Sequence, residues 1–184
     1  MEYTEVEQKF RLLSPAAELR ERLTALGAAP GRPTRQVDTY YNAPHRDFLD
    51  NEVVSEWLRV RVEDGAASLN FKRFHPIAAP AKTHCDEYES AVTDAEAVRR
   101  LLGSLDFAEL TVVDKTREEW HADGIAVAFD TVAGLGDFVE FEYKGDAPTV
   151  TQATARLEAF IAALGVELGD RVHLGYPHMT LGLE

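Results

Sequence analysis

The stretch Glu5-Val6-Glu7-Gln8-Lys9-Phe10-Arg11, close to the start of the chain, alternates charged side chains with uncharged ones. In a β-strand, residues two apart lie on the same face, so the charged residues share one side while Val6 and Phe10 face the other. This pattern predicts a strand with one face packed in a hydrophobic core and one face lined with acids and bases.

Several later stretches repeat this pattern, but each repeats mostly one sign of charge. The charged positions that share strand faces, with Asp130 at the end of a strand, are Arg59, Arg61, Lys72, Glu87, Glu89, Lys115, Arg117, Asp130, Glu140 and Glu142. Like charges two residues apart repel each other unless an opposite charge lies on the neighbouring strand. Two interpretations follow: each charged face meets water on an open sheet, or the strands close into a barrel whose interior is charged.

Turn signals and apolar periodicity predict the elements around these faces. Asp64-Gly65 and Asp123-Gly124 are typical of two-residue hairpin turns, and Gly134-Leu135-Gly136 fits a third turn. The predicted strands are Thr4–Leu12, Gln36–Tyr41, Trp57–Val62, Leu69–Arg73, Glu87–Val92, Lys115–Trp120, Ile125–Phe129 and Phe138–Lys144. We therefore predict an α+β fold: a closed, antiparallel, eight-stranded β-barrel with a charged interior and flanking helices.

Three amphipathic helices are expected to cover the apolar faces of the strands. The first begins at Ser14-Pro15 and ends at Gly27. The second follows the capping box Thr93-Asp94-Ala95-Glu96, with Leu101 and Leu105 on its apolar face. The third begins near Thr149 or Thr151 and ends at Gly165.

Length and charge exclude several classes of protein. The 184 residues suit one domain spanning residues 1–184, and 19 basic against 32 acidic residues give a net charge of −13. Such a charge disfavours nucleic acid and anionic membrane as partners. The sequence has no secretory signal and no apolar run long enough for a membrane span, and its lone cysteine, Cys85, fits a reducing compartment, so we predict a cytoplasmic protein.

A cavity lined by both signs of charge suits a complex of metal and polyphosphate. Arginine and lysine bind phosphate oxygens, and arginine can do so with two hydrogen bonds. Paired carboxylates hold Mg²⁺ or Mn²⁺, which prefer oxygen ligands. The residues alone therefore indicate binding of a triphosphate-containing small molecule together with a divalent cation.

The ordered motifs of the chain resemble those of one family. Glu5-Val6-Glu7-Gln8-Lys9 resembles the ExExK signature of the CYTH family of triphosphate tunnel enzymes, which includes class IV adenylyl cyclases and thiamine triphosphatases. The resemblance continues through Asp38-Thr39-Tyr40-Tyr41-Asn42, Arg46-Asp47-Phe48, Leu58-Arg59-Val60-Arg61, Phe71-Lys72, Glu87-Tyr88-Glu89, Lys115-Thr116-Arg117, Asp130–Gly136 and Glu140-Phe141-Glu142. It implies a closed antiparallel barrel, the triphosphate tunnel, and dependence on Mg²⁺ or Mn²⁺.

The resemblance also implies roles for individual residues. It implies that metal ligands come from Glu5, Glu7, Glu87, Glu89, Asp130, Glu140 and Glu142. It implies that phosphate is bound by Arg59, Arg61, Lys72, Lys115 and Arg117, and that Glu5, Glu7, Lys9 and Arg117 act in catalysis. Cys85 and Leu174 stand where the family often has basic residues.

Three functions remain open from the sequence. The first is a class IV adenylyl cyclase-like activity, which converts ATP to cyclic AMP and pyrophosphate. The second is hydrolysis of thiamine triphosphate, a nucleoside triphosphate or inorganic tripolyphosphate. The third is a non-catalytic sensor that binds a nucleotide or polyphosphate. The expected protein assembly is a homodimer. The aromatic residues Tyr40, Tyr41, Phe48 and Trp57 fit either core packing or stacking on the organic part of a substrate.

Overall fold

The computed structural model describes residues 4–12 and 16–183, which form ten strands and four helices. The strands are β1 (Thr4–Glu5), β2 (Glu7–Arg11), β3 (Thr34–Asn42), β4 (Glu56–Glu63), β5 (Ala66–His75), β6 (His84–Val92), β7 (Ala108–Ala122), β8 (Ile125–Val132), β9 (Gly136–Tyr143) and β10 (Arg171–Val172). The helices are α1 (Ala17–Ala25), α2 (Ala95–Ser104), α3 (Val150–Leu164) and α4 (Tyr176–Leu181).

All ten strands belong to one curled antiparallel sheet in the order β1-β6-β5-β4-β3-β7-β8-β9-β2-β10. Only Val6 separates β1 from β2, yet β1 pairs with β6 and β2 pairs with β9. The α+β class and the antiparallel sheet are therefore confirmed. The sheet has ten strand segments rather than the predicted eight and forms a curled half-barrel, so the closed eight-stranded barrel stays a prediction.

The two predicted hairpins are confirmed with the expected backbone geometry. Asp64 and Gly65 have φ angles of 47° and 84°, and Asp123 and Gly124 have φ angles of 51° and 73°. Two consecutive residues with positive φ match the twist of the strands that such a turn joins. These turns fix the registers of β4 with β5 and of β7 with β8, and hence which side chains face the same way.

Helices α1 and α3 cover one face of the sheet. Leu23 of α1 and Leu157 of α3 are fully buried in a cluster that includes Val6, Val139 and Phe141 from the strands. The apolar side chains of the first strand therefore face this core, as the alternation predicts. In α3, Thr149 is the N-cap, since its hydroxyl accepts the N–H of Gln152 at 3.3 Å. The predicted start of α1 at Ser14-Pro15 lies outside the described residues.

Helix α2 covers less of the sheet than its sequence predicts. Asp94, rather than Thr93, is the N-cap, since its carboxylate accepts the N–H of Ala97 at 2.9 Å. Leu102 is buried, but Leu101 and Leu105 are 56% and 55% exposed. Only part of the predicted apolar face is therefore in contact with the sheet.

The largest differences from the predicted elements are at β7 and near the C-terminal end. Strand β7 extends over 15 residues, more than twice the predicted Lys115–Trp120. The two-residue strand β10 and the six-residue helix α4 are not in the predicted set. Within residues 4–12 and 16–183, we find no helix with the length and apolar content needed to cross a membrane.

Candidate active site

The face of the sheet opposite α1 and α3 carries a polar cavity of about 80 Å³. Its charged lining residues are Glu5, Glu7, Lys9, Arg59, Arg61, Lys72, Lys115, Arg117, Glu119, Glu140 and Glu142. Most of the residues that the sequence pattern placed on charged strand faces therefore line one common space. Cavities of about 390 Å³ and about 330 Å³ share lining residues with it and continue it in two directions.

These two continuations differ in chemistry. The larger one, the polar mouth, is lined mainly by charged and amide side chains, including Gln36, Glu63, Glu87, Glu89 and Lys144. The smaller one, the apolar pocket, has Leu49, Val53, Val54, Trp57, Phe74 and Leu174 in its wall. A molecule that occupies the central cavity can therefore have a charged end and an apolar end.

Asp38 of β3 holds the two arginines of β4. Arg61 donates through Nε and Nη2 to the two carboxylate oxygens of Asp38, both at 2.7 Å, and Arg59 Nη1 donates to Asp38 Oδ2 at 3.2 Å. Burial acts to raise the pKa of Asp38, but Arg59 and Arg61 together hold that pKa well below its usual value. Both guanidinium groups are therefore fixed next to the cavity as charged groups.

Asp130 of β8 does the same for Lys115 and Arg117 of β7. Arg117 donates through Nε at 2.7 Å and through Nη2 at 2.5 Å, and Lys115 Nζ donates at 3.1 Å. The hydroxyl of Tyr176, on α4, donates to the same carboxylate at 2.8 Å. Arg117 also contacts Glu140, which forms an ion pair with Lys9 at 3.2 Å.

Lys72 of β5 lies between Glu5 and Glu87. Its Nζ is 2.5 Å from Glu5 Oε2 and 3.4 Å from Glu87 Oε1. The thiol of Cys85 donates to the same oxygen of Glu5 at 3.2 Å. Burial raises the pKa of this thiol, so Cys85 stays in the protonated donor form rather than as a nucleophilic thiolate.

The carboxylates of Glu5, Glu7 and Glu142 are crowded by like charge. Glu7 and Glu142 are directly opposite each other in the pairing of β2 with β9. Burial raises the pKa of Glu5, and Glu7 and Glu142 raise it further against the opposite effect of Lys72. Burial also raises the pKa of Glu142, although Lys144 lowers it. A cation that bound here would relieve this repulsion.

The donor chemistry of these three residues fits a hard divalent cation, because all their ligating atoms are carboxylate oxygens. On the neighbouring strand β8, Ala126 lies opposite Glu142 and Ala128 opposite Glu140. Both alanines line the cavity and leave space above the carboxylates. In the described part of the chain, however, no three Asp, Glu, His or Cys side chains converge in an arrangement that could hold a metal ion.

The remaining acids predicted as ligands have other surroundings. The side chains of Asp130 and Glu140 are buried and bound to basic groups. Glu87 accepts a hydrogen bond from Asn70 at 2.7 Å. Burial acts to raise the pKa of Glu87, but the charge of Lys72 and other neighbours outweighs it and lowers the pKa to about 2. Glu89 is exposed at the polar mouth and accepts a hydrogen bond from Ser68.

The structure adds residues that were not in the predicted site. Asp38, Asn70, Glu119 and Tyr176 bind charged partners or line the cavity but were not among the predicted site residues. Glu119 could have been found, because it continues the alternation of Lys115 and Arg117. Of the four aromatics that fitted either role, Tyr40 and Trp57 line the cavity, whereas Tyr41 and Phe48 are buried away from it.

Comparison with known proteins identifies the family of this chain. A family model described as CYTH domain matches residues 3–176. The chain belongs to the CYTH family. A Methanocaldococcus jannaschii protein named "Putative adenylate cyclase MJ0240" is 34% identical over 122 residues, which are 66% of this chain and 67% of that protein.

Solved structures show the same CYTH-like fold. The PH1819 protein of Pyrococcus horikoshii OT3 superposes with a TM-score of 0.77 at 28% identity, over 97% of this chain and 98% of that one. The Hippeastrum protein HpAC1, described as a "Putative adenylyl cyclase" with a dominant triphosphatase activity, superposes with a TM-score of 0.64 at 18% identity, over 98% and 97% of the two chains. At that identity, the second likeness concerns the fold alone.

Proposed function

We propose that this CYTH chain is a divalent-metal-dependent enzyme that acts on a triphosphate within a closed tunnel. One observation carries the proposal: six basic side chains from four strands line a single cavity, namely Lys9, Arg59, Arg61, Lys72, Lys115 and Arg117. A triphosphate is the small anion whose charge and length match such a set. In this proposal, residues 1–184 act as one domain.

We assign the cation, Mg²⁺ or Mn²⁺, to Glu5, Glu7 and Glu142, with Glu140 as a further carboxylate nearby. When bound, such an ion neutralises charge on the phosphate oxygens during phosphoryl or nucleotidyl transfer. The crowding of these carboxylates supports the assignment, because a site that only bound anions would need just the basic groups. It also argues against the non-catalytic sensor.

The side chains of this chain supply positioning and charge. Arg59, Arg61 and Arg117 are held by carboxylates with their guanidinium groups at the cavity wall, so they bind phosphate oxygens without first losing side-chain freedom. Lys72 and Lys115 add point charges that attract phosphate. Lys9 pairs with Glu140 and donates to the carbonyl of Leu174, which fixes Glu140 near the proposed cation.

The apolar pocket favours a substrate with an organic group, and we propose ATP, cyclised as in class IV adenylyl cyclases, as the first candidate. In that reaction the ribose 3′-hydroxyl attacks the α-phosphorus and pyrophosphate leaves. Trp57 and Phe74 belong to both the cavity and the pocket, so a base bound there is continuous with the phosphates. The name of the M. jannaschii relative supports this candidate.

The polar mouth favours a second candidate, hydrolysis of a triphosphate. This opening of about 390 Å³ is lined by polar groups and admits water to the end of the triphosphate that is remote from the apolar pocket. The activity ascribed to HpAC1 is of this kind. Both reactions use the same basic groups and differ in which phosphorus atom is attacked.

A substrate panel with product identification tests both candidates. The purified chain is incubated with ATP, thiamine triphosphate or tripolyphosphate under Mg²⁺ or Mn²⁺, and cyclic AMP, pyrophosphate and phosphate are quantified. We expect Glu7→Gln to abolish metal-dependent turnover at nearly constant side-chain volume, with a melting temperature within a few degrees of the wild type. Glu18→Gln, on the exposed face of α1, is the charge-matched control. Normal turnover by Glu7→Gln would overturn the proposed metal role.

A further inference from the structure

We infer that Asp38 and Asp130 are positioning residues, which orient the basic groups of the cavity for the triphosphate and do not ligate the metal. This inference rests on the proposed function and assigns two of the buried carboxylates a role distinct from that of Glu5, Glu7 and Glu142. For Asp130, it replaces the metal-ligand role that the sequence motifs imply.

Asp130 has no free oxygen to offer a cation. Its two carboxylate oxygens accept four hydrogen bonds: two from Arg117, one from Lys115 and one from Tyr176. Three of these bonds converge on Oδ2 and the fourth, from Arg117 Nε, is to Oδ1, so each oxygen already accepts a hydrogen bond from a cationic side chain. None of the side-chain surface is exposed. A metal ion could bind only if buried charged donors were left without partners, which is costly.

Asp38 has the same arrangement on the other side of the cavity. It accepts three hydrogen bonds from two arginines, and its side chain is only 1% exposed. The parallel with Asp130 extends to the register, since Asp38 lies directly opposite Arg61 and Asp130 directly opposite Arg117. In each half of the cavity, one buried aspartate therefore holds two basic residues that are two positions apart on the adjacent strand.

In both places, the buried aspartate offsets the repulsion between two neighbouring basic groups. Two basic groups at positions i and i+2 lie on the same face and repel each other, so without a counter-charge they would turn apart. A single buried carboxylate holds both, and within residues 4–12 and 16–183 it leaves other donors available, because Arg61 bonds through Nε and Nη2 but not Nη1 and Lys115 uses one of its three N–H groups. Those remaining donors are what a phosphate would contact.

Substitution of either aspartate is therefore expected to weaken phosphate binding and to leave metal binding unchanged. With Asp38→Asn or Asp130→Asn, the Kd for tripolyphosphate measured by calorimetry without metal should rise about tenfold or more, because a charged hydrogen-bonded partner of two cations is lost. The Kd for Mn²⁺ alone, measured by electron paramagnetic resonance, should stay within about twofold of the wild type. Glu7→Gln should show the opposite pattern, with Mn²⁺ binding weakened most.

The outcomes distinguish this inference from the proposed function. If the wild type fails to bind tripolyphosphate and Mn²⁺, the proposed function is wrong. If the wild type binds both but Asp130→Asn loses Mn²⁺ affinity about tenfold while its tripolyphosphate affinity is unchanged, the inference is wrong for Asp130, and the same pattern in Asp38→Asn excludes Asp38. Asp170→Asn, an exposed surface change, is the charge-matched control.

A milder variant covers the case in which Asp130→Asn does not fold. Tyr176→Phe keeps the ring and removes one of the four donors to Asp130. We expect it to raise the tripolyphosphate Kd by a few fold with Mn²⁺ affinity unchanged, since the carboxylate then holds Arg117 and Lys115 less rigidly. Circular dichroism establishes that each variant is folded. A folded Tyr176→Phe or Asp38→Asn protein with wild-type tripolyphosphate affinity would contradict the inference for the corresponding aspartate.

Discussion

Lys115 connects the chemistry of the cavity to pH. Burial lowers its pKa to about 8, and Arg117 acts in the same direction, while Asp130 and Glu140 act to raise it. An ordinary lysine has a pKa near 10.4, so this group loses its charge in a range where other lysines stay protonated. Because phosphate binding requires the ammonium form, the free enzyme should bind triphosphate less well as the pH rises through this range.

A pH profile tests this expectation. We expect kcat/KM to fall as the pH rises above about 8, since this parameter reports the ionisation of the free enzyme. In Lys115→Arg the fall should move above pH 10 or so, because a guanidinium stays charged. Lys144→Arg, at the rim of the polar mouth, serves as the comparison. An identical alkaline limb in Lys115→Arg and the wild type would show that another group titrates.

At the residue scale, the sequence could predict which side chains share a face but not which of them pair. Alternation alone placed Glu7, Lys9 and Arg61 on charged faces, and the structure brings them to one cavity. The pairing of Arg61 with Asp38 depends on the register of β3 with β4, which no single strand encodes. Although Asp38 belongs to a stretch that resembles the family, alternation does not place it on a charged face, because Gln36 and Tyr40, two positions away on either side, carry no charge.

At the scale of elements, each strand of the cavity wall has a second, apolar face whose packing sets stability. Leu157, on α3, is fully buried against this face. We expect Leu157→Ala to lower the free energy of unfolding by about 2–5 kcal/mol, because it leaves a cavity in a packed core. Chemical denaturation measures this change, and Leu101→Ala, at a mostly exposed position of α2, should change stability by less than about 0.5 kcal/mol.

The Leu157→Ala variant also tests whether packing in the core affects substrate binding in the cavity. Since Leu157 does not line the cavity, the KM of folded Leu157→Ala protein at low temperature should match that of the wild type. A large rise in KM, measured where the variant is fully folded, would mean that the two faces of the sheet are coupled more tightly than the packing indicates.

Elements with strong local signals were predicted best. The Asp-Gly hairpins and α3 have turn or cap residues at defined positions, and the structure confirms them. By contrast, α4 has only six residues and β10 has two, so their formation depends largely on contacts with β7 and β2. The apolar face of α2 shows the reverse case, since its pattern is strong but Leu101 and Leu105 are left exposed.

At the scale of the whole molecule, the cavity wall is assembled from eight strands that span most of the sequence. Residues of β1, β2, β3, β4, β5, β7, β8 and β9 line it. A ligand that contacts several of them links separate parts of the sheet and binds only the folded state. At a concentration 100 times its Kd, such a ligand stabilises the folded state by about 2.7 kcal/mol.

Calorimetry of the intact chain tests this linkage. We expect Mg²⁺ with tripolyphosphate to raise the melting temperature progressively with ligand concentration, and the rise to shrink at high salt because exposed parts of the charged wall are screened. Arg61→Ala should show a smaller rise at the same ligand concentration. A melting temperature independent of ligand in the wild type would contradict the proposed binding.

Net charge could not have predicted this group of basic side chains in one cavity wall. The chain carries −13 overall, yet six basic groups lie together in one cavity wall. The local field in a cleft, rather than the total charge, governs what binds there. Whether the strands close into a barrel was also beyond the sequence, because closure depends on the curl of the sheet and on pairings between its ends, which residue patterns do not encode.

The pairing of the first strand has a consequence for biosynthesis. Glu7–Arg11 pairs with Gly136–Tyr143, more than 120 residues later in the chain. A ribosome therefore completes most of the polypeptide before this early segment can find its neighbour, and Glu7 remains outside its final environment until then. Such distant pairing is slow to form. The emerging chain thus keeps an unpaired strand with an apolar face during most of its translation, and this is where a chaperone would be expected to act.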